Sequence, residues 1–171
     1  MKFKEIKRFP QIYYHVDIFL DHIPRTIERY CEEYGLDLSP DFQRDYVWSE
    51  EQKSKYIEFL LKDPSSGKEI YFNHPGWMKN FKGNFVIVDG KQRLDAVLGF
   101  FKNEVKAFGY LYKDFVDVIP TIGLSFNVAV LQTRKEVLQW YLDFNTGGTY
   151  HTKEEIERVK MLIEHEDKKE V

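Results

Sequence analysis

The chain has a single cysteine, Cys31. That excludes an internal disulfide framework and any cysteine zinc site, and it fits a reducing compartment. No apolar run approaches the roughly 18 residues that a membrane span needs. The opening stretch, Met1-Lys-Phe-Lys-Glu-Ile-Lys-Arg8, is charged throughout and has no apolar core of a secretory signal. A charge excess of either sign is missing too. With 25 Lys+Arg against 28 Asp+Glu, the formal net charge is -3. This excludes a protein that coats nucleic acid by bulk electrostatics and leaves room for a local basic patch. Repeats and low-complexity stretches are absent. The expectation is a soluble, cytoplasmic chain with no membrane partner. Its 171 residues make about one domain, 1–171, long enough to bury a core without staples. Aromatics are plentiful, with 14 Phe, 11 Tyr and 3 Trp, so large rings are expected to dominate that core.

Residues 10–20 read as extended. Asp21 is placed to cap a helix over about 23–34, with Pro24 in its first turn and Gly35 as its stop. Ser49 with Gln52 forms a capping box that opens a helix over about 50–62. Glu69 to Asn73 is a strand candidate, and 74–84 reads as an exposed loop. Phe85-Val-Ile-Val88 is a continuous apolar run, the pattern of a fully buried strand. Leu94, Val97, Leu98 and Phe101 recur at helical spacing and define a helix over about 91–102. Residues 105–122 are ambiguous. Leu124 to Leu131 reads as a strand. Thr133 with Glu136 opens a helix to about 143, and Thr152 with Glu155 opens a last helix to about 166. Seven acids and five bases over 153–171 read as a solvated face with a fraying end. Strands and helices without regular alternation argue for an α+β fold.

The chemistry concentrates at Val88-Asp89-Gly90-Lys91-Gln92-Arg93. A buried strand ends, glycine turns the chain, and a helix begins. Unpaired N–H groups and the helix dipole favour an anion such as phosphate at that point. Gly90 permits close backbone approach, and Lys91 and Arg93 add positive charge. Asp89 is placed to hold a divalent metal or to accept a proton. The competing reading is an ordinary strand–turn–helix corner with Asp89 as its N-cap. A second stretch is Pro40-Asp41-Phe42-Gln43-Arg44-Asp45-Tyr46-Val47-Trp48. Here Arg44 is either locked between two aspartates or positioned by them as a phosphate ligand. Phe42, Tyr46 and Trp48 either stack on a base or anchor the loop. A third stretch, Phe144-Asn145-Thr146-Gly147-Gly148-Thr149, is either an anion-binding nest or a helix stop.

Other signals fail. Ser66-Gly67-Lys68 lacks the first glycine of a phosphate-binding loop and has Glu69 where Ser or Thr is needed. The five histidines show no metal-ligand spacing. A mild basic bias over 79–106, six Lys/Arg against three acids, is equally a solvated face.

The order of the three stretches is more specific than any one of them. It resembles the N-terminal domain of GmrSD-type restriction proteins, in the ParB N-terminal/sulfiredoxin-like superfamily, over about residues 10–165. The family hallmark Asp-Gly-Gln-Gln-Arg stands here as Asp89-Gly90-Lys91-Gln92-Arg93. The resemblance implies a single compact α+β domain with a mixed sheet and C-terminal helices. It implies binding of ATP or another NTP with Mg²⁺, and cleavage or transfer of the terminal phosphoryl group. Gly90, Lys91, Gln92, Arg93 and Arg44 then hold phosphates, and Gln43, Asn145 and Gly147 line the site. Asp89 holds the metal or orients the nucleophile, with Arg93 and Arg44 beside it in the catalytic set. The acceptor is water or a hydroxyl, including that of a hydroxymethylated DNA base. Expected partners are the nucleotide, DNA, and a host or phage protein. A chain of one domain's length is expected to lack a nuclease domain in cis. The stand-alone form resembles phage-encoded proteins of DNA modification or restriction. The alternative is a non-catalytic nucleotide-gated DNA-binding or counter-defence module.

Overall fold

A computed structural model describes residues 2–6, 8–146 and 152–169. Four strands form one mixed sheet: β1 (Tyr14–Phe19), β2 (Glu69–Asn73), β3 (Val86–Asp89) and β4 (Gly123–Ala129), in the order β1-β4-β2-β3. β4 runs antiparallel to β1 and parallel to β2, and β2 runs antiparallel to β3. Five α-helices accompany it among the described residues: α1 (Ile23–Tyr34), α2 (Glu50–Leu60), α3 (Lys91–Phe101), α4 (Arg134–Thr146) and α5 (Lys153–Lys169). None of them is long and apolar enough to cross a membrane.

The two-residue period of the strands divides the apolar side chains between two layers. Ile70, Phe72, Ile87, Leu124 and Phe126 pack with Ile27 and Tyr30 of α1, Ile57 and Leu60 of α2, and Leu94 and Val97 of α3. Val88 and Ala129 belong to a second cluster with Leu138, Trp140 and Tyr141 of α4 and Val159 of α5, and Tyr71 packs against it. β3 is therefore covered on both faces, which is why its apolar residues run without alternation. The architecture is α+β with C-terminal helices, as the sequence predicts.

All three capping boxes form. Gln52 N–H donates to Ser49 Oγ at 3.2 Å, Glu136 N–H to Thr133 Oγ1 at 3.2 Å, and Glu155 N–H to Thr152 Oγ1 at 3.2 Å. Gly35 ends α1 at φ 65°, the left-handed conformation glycine adopts without strain. Three expectations need correction. Asp21 does not cap α1: Leu20–His22 forms a 3-10 turn, His22 takes the N-cap position, and Asp21 faces His22 instead. The C-terminal end of α5 is anchored, because Asp167 pairs with Lys135 and Glu166 with Arg134 on α4. Finally, 74–84 is not simply an exposed loop. Trp77 is buried against Tyr14, Tyr30, Tyr34 and Phe85, so ring burial outweighs the polar residues around it.

His74 lies in the same aromatic cluster, 0% exposed. Its Nδ1 accepts the Gly76 N–H at 3.1 Å, and its Nε2 has no hydrogen-bond partner among the described residues. Burial lowers its pKa below the ordinary histidine value. The unfolded chain takes up a proton near pH 6.5 that the folded chain refuses. The contribution of His74 is thus fully present above that pH and is lost as pH falls toward the folded pKa. Melting temperature is expected to drop on going from about pH 7 to about pH 5, and His74→Asn should flatten that slope. The same slope in the variant would place the titration elsewhere.

Candidate functional site

β3 ends at Asp89, Gly90 turns the chain at φ 94°, and α3 starts at Lys91. Glycine is required there twice over. The conformation is left-handed, and a Cβ would lie 2.6 Å from Ile70 Cδ1 and 3.2 Å from the Glu69 carbonyl oxygen. Gly90 is itself the N-cap of α3, and no side chain caps it. Asp89 is therefore not the cap, and the first-turn N–H groups of α3 are left to whatever sits above the corner. A cleft of about 200 Å³ opens at this point. Its lining includes Gln43, Arg44, Trp48, Asp89, Gly90, Lys91, Gln92, Arg93, Tyr141, Phe144 and Asn145. Three stretches far apart in sequence thus converge on one cleft. Gly147 lies outside the described residues, as do Gly148 and Thr149.

The 40–48 loop has no regular secondary structure, yet side chains from several elements fix it. Gln43 Nε2 donates to the carbonyls of Ile87 (3.2 Å) and Val88 (2.8 Å) on β3. Gln92 Nε2 donates to the Asp45 carbonyl at 2.9 Å, while its Oε1 accepts the N–H groups of Val47 (3.1 Å) and Trp48 (3.2 Å). Lys91 Nζ donates to the Arg44 carbonyl at 3.0 Å and lies 4.3 Å from the Tyr46 ring centroid. Arg158 on α5 donates to the carbonyls of Asp41 (3.0 Å), Phe42 (3.2 Å) and Gln43 (3.0 Å). Arg134 grips the Asp41 carboxylate through both oxygens at 2.7 Å. Phe42 is buried in the second core and Trp48 packs on Tyr56, so both anchor the loop.

This geometry revises the roles of three residues. The polar end of Gln43 is directed at the β3 carbonyls and those of Lys91 and Gln92 at the loop, so these side chains position the site. Lys91 and Gln92 are each 7% exposed. Burial lowers the Lys91 pKa against the opposing pull of Asp45, Asp37 and Asp95. Arg158 was not visible in the sequence, where it sat among the charges of a solvated helix. Only its distance from the 41–43 carbonyls in space reveals it.

Arg93 pairs with Asp89 across one helical turn. The two residues expected to hold phosphate and metal therefore hold each other. Arg44 lies beside Tyr141, whose hydroxyl is pushed up to about 12 by burial, against the charge and backbone N–H of Arg44. Asn145 Nδ2 donates to the Tyr141 carbonyl at 2.7 Å, which fixes the last turn of α4 at the cleft. Tyr71 on β2 is the register partner of Asp89. Burial raises its pKa, with Glu69 and Asp89 adding to the shift and Arg93 opposing it.

A helix N-terminus with two arginines beside it is an arrangement that can receive an anion. No group of three or more His, Cys, Asp or Glu side chains able to hold a metal occurs among the described residues. The cleft still suits Mg²⁺, which usually takes one or two carboxylates and completes its shell with water and substrate phosphates. Asp89 is the one lining carboxylate among the described residues.

A model of the family described as GmrSD restriction endonuclease, N-terminal domain, matches residues 27–171. The chain belongs to this family. All three stretches at the cleft fall within the matched span of the GmrSD N-terminal domain. The family ties the chain to restriction, and so to DNA. No curated protein and no solved structure matches it significantly.

Proposed function

We propose that this GmrSD N-terminal domain binds a nucleoside triphosphate in the cleft at Gly90 and, with Mg²⁺, cleaves or transfers its terminal phosphoryl group in the service of DNA restriction or modification. One observation carries the reading: the uncapped N-terminus of α3 and the side chains of Arg44 and Arg93 face one cleft. Gly90 makes the tight turn against β2 that starts α3 at the cleft, and the first-turn N–H groups bind the phosphates. Arg93 exchanges Asp89 for a phosphate oxygen, a charge-assisted and bidentate partner. Arg44 and Asn145 line the same cleft, Arg44 as a second phosphate ligand. Asp89, released from Arg93, holds Mg²⁺ or orients the attacking water or hydroxyl. The metal, when bound, neutralises charge building on the transferred phosphoryl group. The remaining catalysis is positioning, and Gln43, Lys91, Gln92 and Arg158 hold the walls for it.

A second reading is a nucleotide-gated module that binds without turnover. What favours it is that the only lining carboxylate among the described residues, Asp89, is already paired with Arg93.

The test is a panel of four NTPs with Mg²⁺, with and without unmodified or hydroxymethylated DNA, scored for phosphate release and label transfer. Arg93→Ala should weaken triphosphate binding by about tenfold or more, since charge-assisted hydrogen bonds contribute roughly 1.5–3 kcal/mol. The fold should survive, because the Asp89 carboxylate left behind still reaches solvent at the cleft mouth. Absence of NTP binding in the wild type would sink the proposal. A collapse of the Arg93→Ala fold would make the ion pair structural.

A further inference from the structure

The cleft is smaller than the roughly 300–1,000 Å³ of a pocket that encloses a whole small ligand. If it takes the phosphates, the rest of the nucleotide must lie across its rim. The rim next to Asn145 is aromatic. Phe144 lines the cleft, and its ring lies 4.7 Å from that of Tyr71, 5.4 Å from that of Trp140 and 5.6 Å from that of Phe9 between centroids. Tyr71 and Trp140 hold Phe144 from behind, as part of the second core. Phe9 is different: it is 60% exposed, although it contacts Phe144. Most of its surface is left open to solvent next to Phe144, which lines the cleft. Every nucleobase has a π-face, and stacking on an aromatic side chain is the usual way to hold one without reading its edges.

We infer that Phe9 and Phe144 form the base subsite of this cleft, stacking the nucleobase of the triphosphate whose phosphates lie at Gly90, Arg44 and Arg93. The inference rests on the phosphate reading of the cleft. It assigns a role to the segment before β1, which none of the three motifs contains. Stacking without edge contacts predicts modest discrimination among the four bases.

The experiment compares two ligands by calorimetry, an NTP and inorganic triphosphate, each with Mg²⁺. The proteins are wild type, Phe9→Ala, Phe9→Tyr and the milder core change Phe144→Leu. Phe9→Ala and Phe144→Leu are expected to weaken NTP binding about fivefold or more while leaving inorganic triphosphate unchanged, and Phe9→Tyr should bind like the wild type. Equal loss for both ligands would show that Phe9 acts through the fold and would overturn the base subsite. Unchanged NTP affinity in Phe9→Ala would overturn it and leave the phosphate site standing. Failure of the wild type to bind either ligand would remove both. A single-stranded oligonucleotide that loses affinity in Phe9→Ala when the NTP does not would assign the platform to DNA instead and overturn the inference.

Discussion

Asp89→Asn is expected to abolish phosphate release and transfer while tightening triphosphate binding several-fold. The two effects have one cause. Asp89 brings a negative charge to a cleft proposed to hold phosphates, and it also occupies Arg93. Asparagine removes the charge and loosens that grip, so the guanidinium is free to meet the ligand. A unit charge about 5 Å from a phosphate repels it by a few kcal/mol at an effective dielectric near 20. Solvent at the half-open mouth reduces this to about 1 kcal/mol. Turnover goes the other way, because asparagine neither holds a metal firmly nor accepts a proton. The fold should be unaffected: Gly90, not Asp89, is the cap of α3. The measurement pairs nucleotide affinity with phosphate release, for wild type and variant. Full turnover in Asp89→Asn would reduce the carboxylate to a partner of Arg93. Firm binding with no turnover in the wild type, across nucleotides and acceptors, would decide for the nucleotide-gated module.

What the sequence made visible was local chemistry. Ser49 with Gln52, Thr133 with Glu136 and Thr152 with Glu155 each set a helix start within four residues, and all three form. Gly90 was legible because a strand, a glycine and a helix follow one another without a gap. The convergence of 40–48 and 144–145 on that corner was expected from the family resemblance, and no spacing in the chain contains it. The side-chain assignments at the loop were not legible, for a physical reason. Lys91, Gln92 and Arg93 are adjacent, polar and equally suited to phosphate, but helical geometry turns consecutive residues about 100° apart. Arg93 faces the cleft, whereas Lys91 and Gln92 turn into the 43–48 backbone, whose carbonyls and N–H groups must be satisfied once buried. Arg158 was hidden in the same way, since its partners lie 115–117 positions away. The burial of His74 and Trp77 depends on rings supplied by β1, by α1 and by Phe85 just before β3, so the polar run around them was misleading.

Gln92→Ala is expected to lower stability by about 3 kcal/mol and to loosen the cleft, although Gln92 itself contacts no ligand in the proposed mechanism. Three backbone groups depend on this one side chain: the Asp45 carbonyl and the N–H groups of Val47 and Trp48. A buried polar group left unpaired costs roughly 1–3 kcal/mol, and water entering the space offsets part of the sum over three. For a chain of this size the melting temperature should fall by roughly 6–12 °C. The loss should also be local before it is global. Amide hydrogen exchange at Val47 and Trp48 should accelerate well below the melting transition, because the anchors at Asp41–Gln43 are made by Arg158 and Arg134 and survive. Arg44 sits between the two halves of the loop, so triphosphate affinity should fall in step with exchange at Val47. Gln92→Glu separates the parts: its carboxylate still accepts both N–H groups but repels the Asp45 carbonyl, so its loss should be smaller than that of alanine. Wild-type exchange at Val47 and Trp48 in Gln92→Ala would show that the loop holds itself. Positioning of Arg44 would then have to come from Lys91 and Arg158 alone.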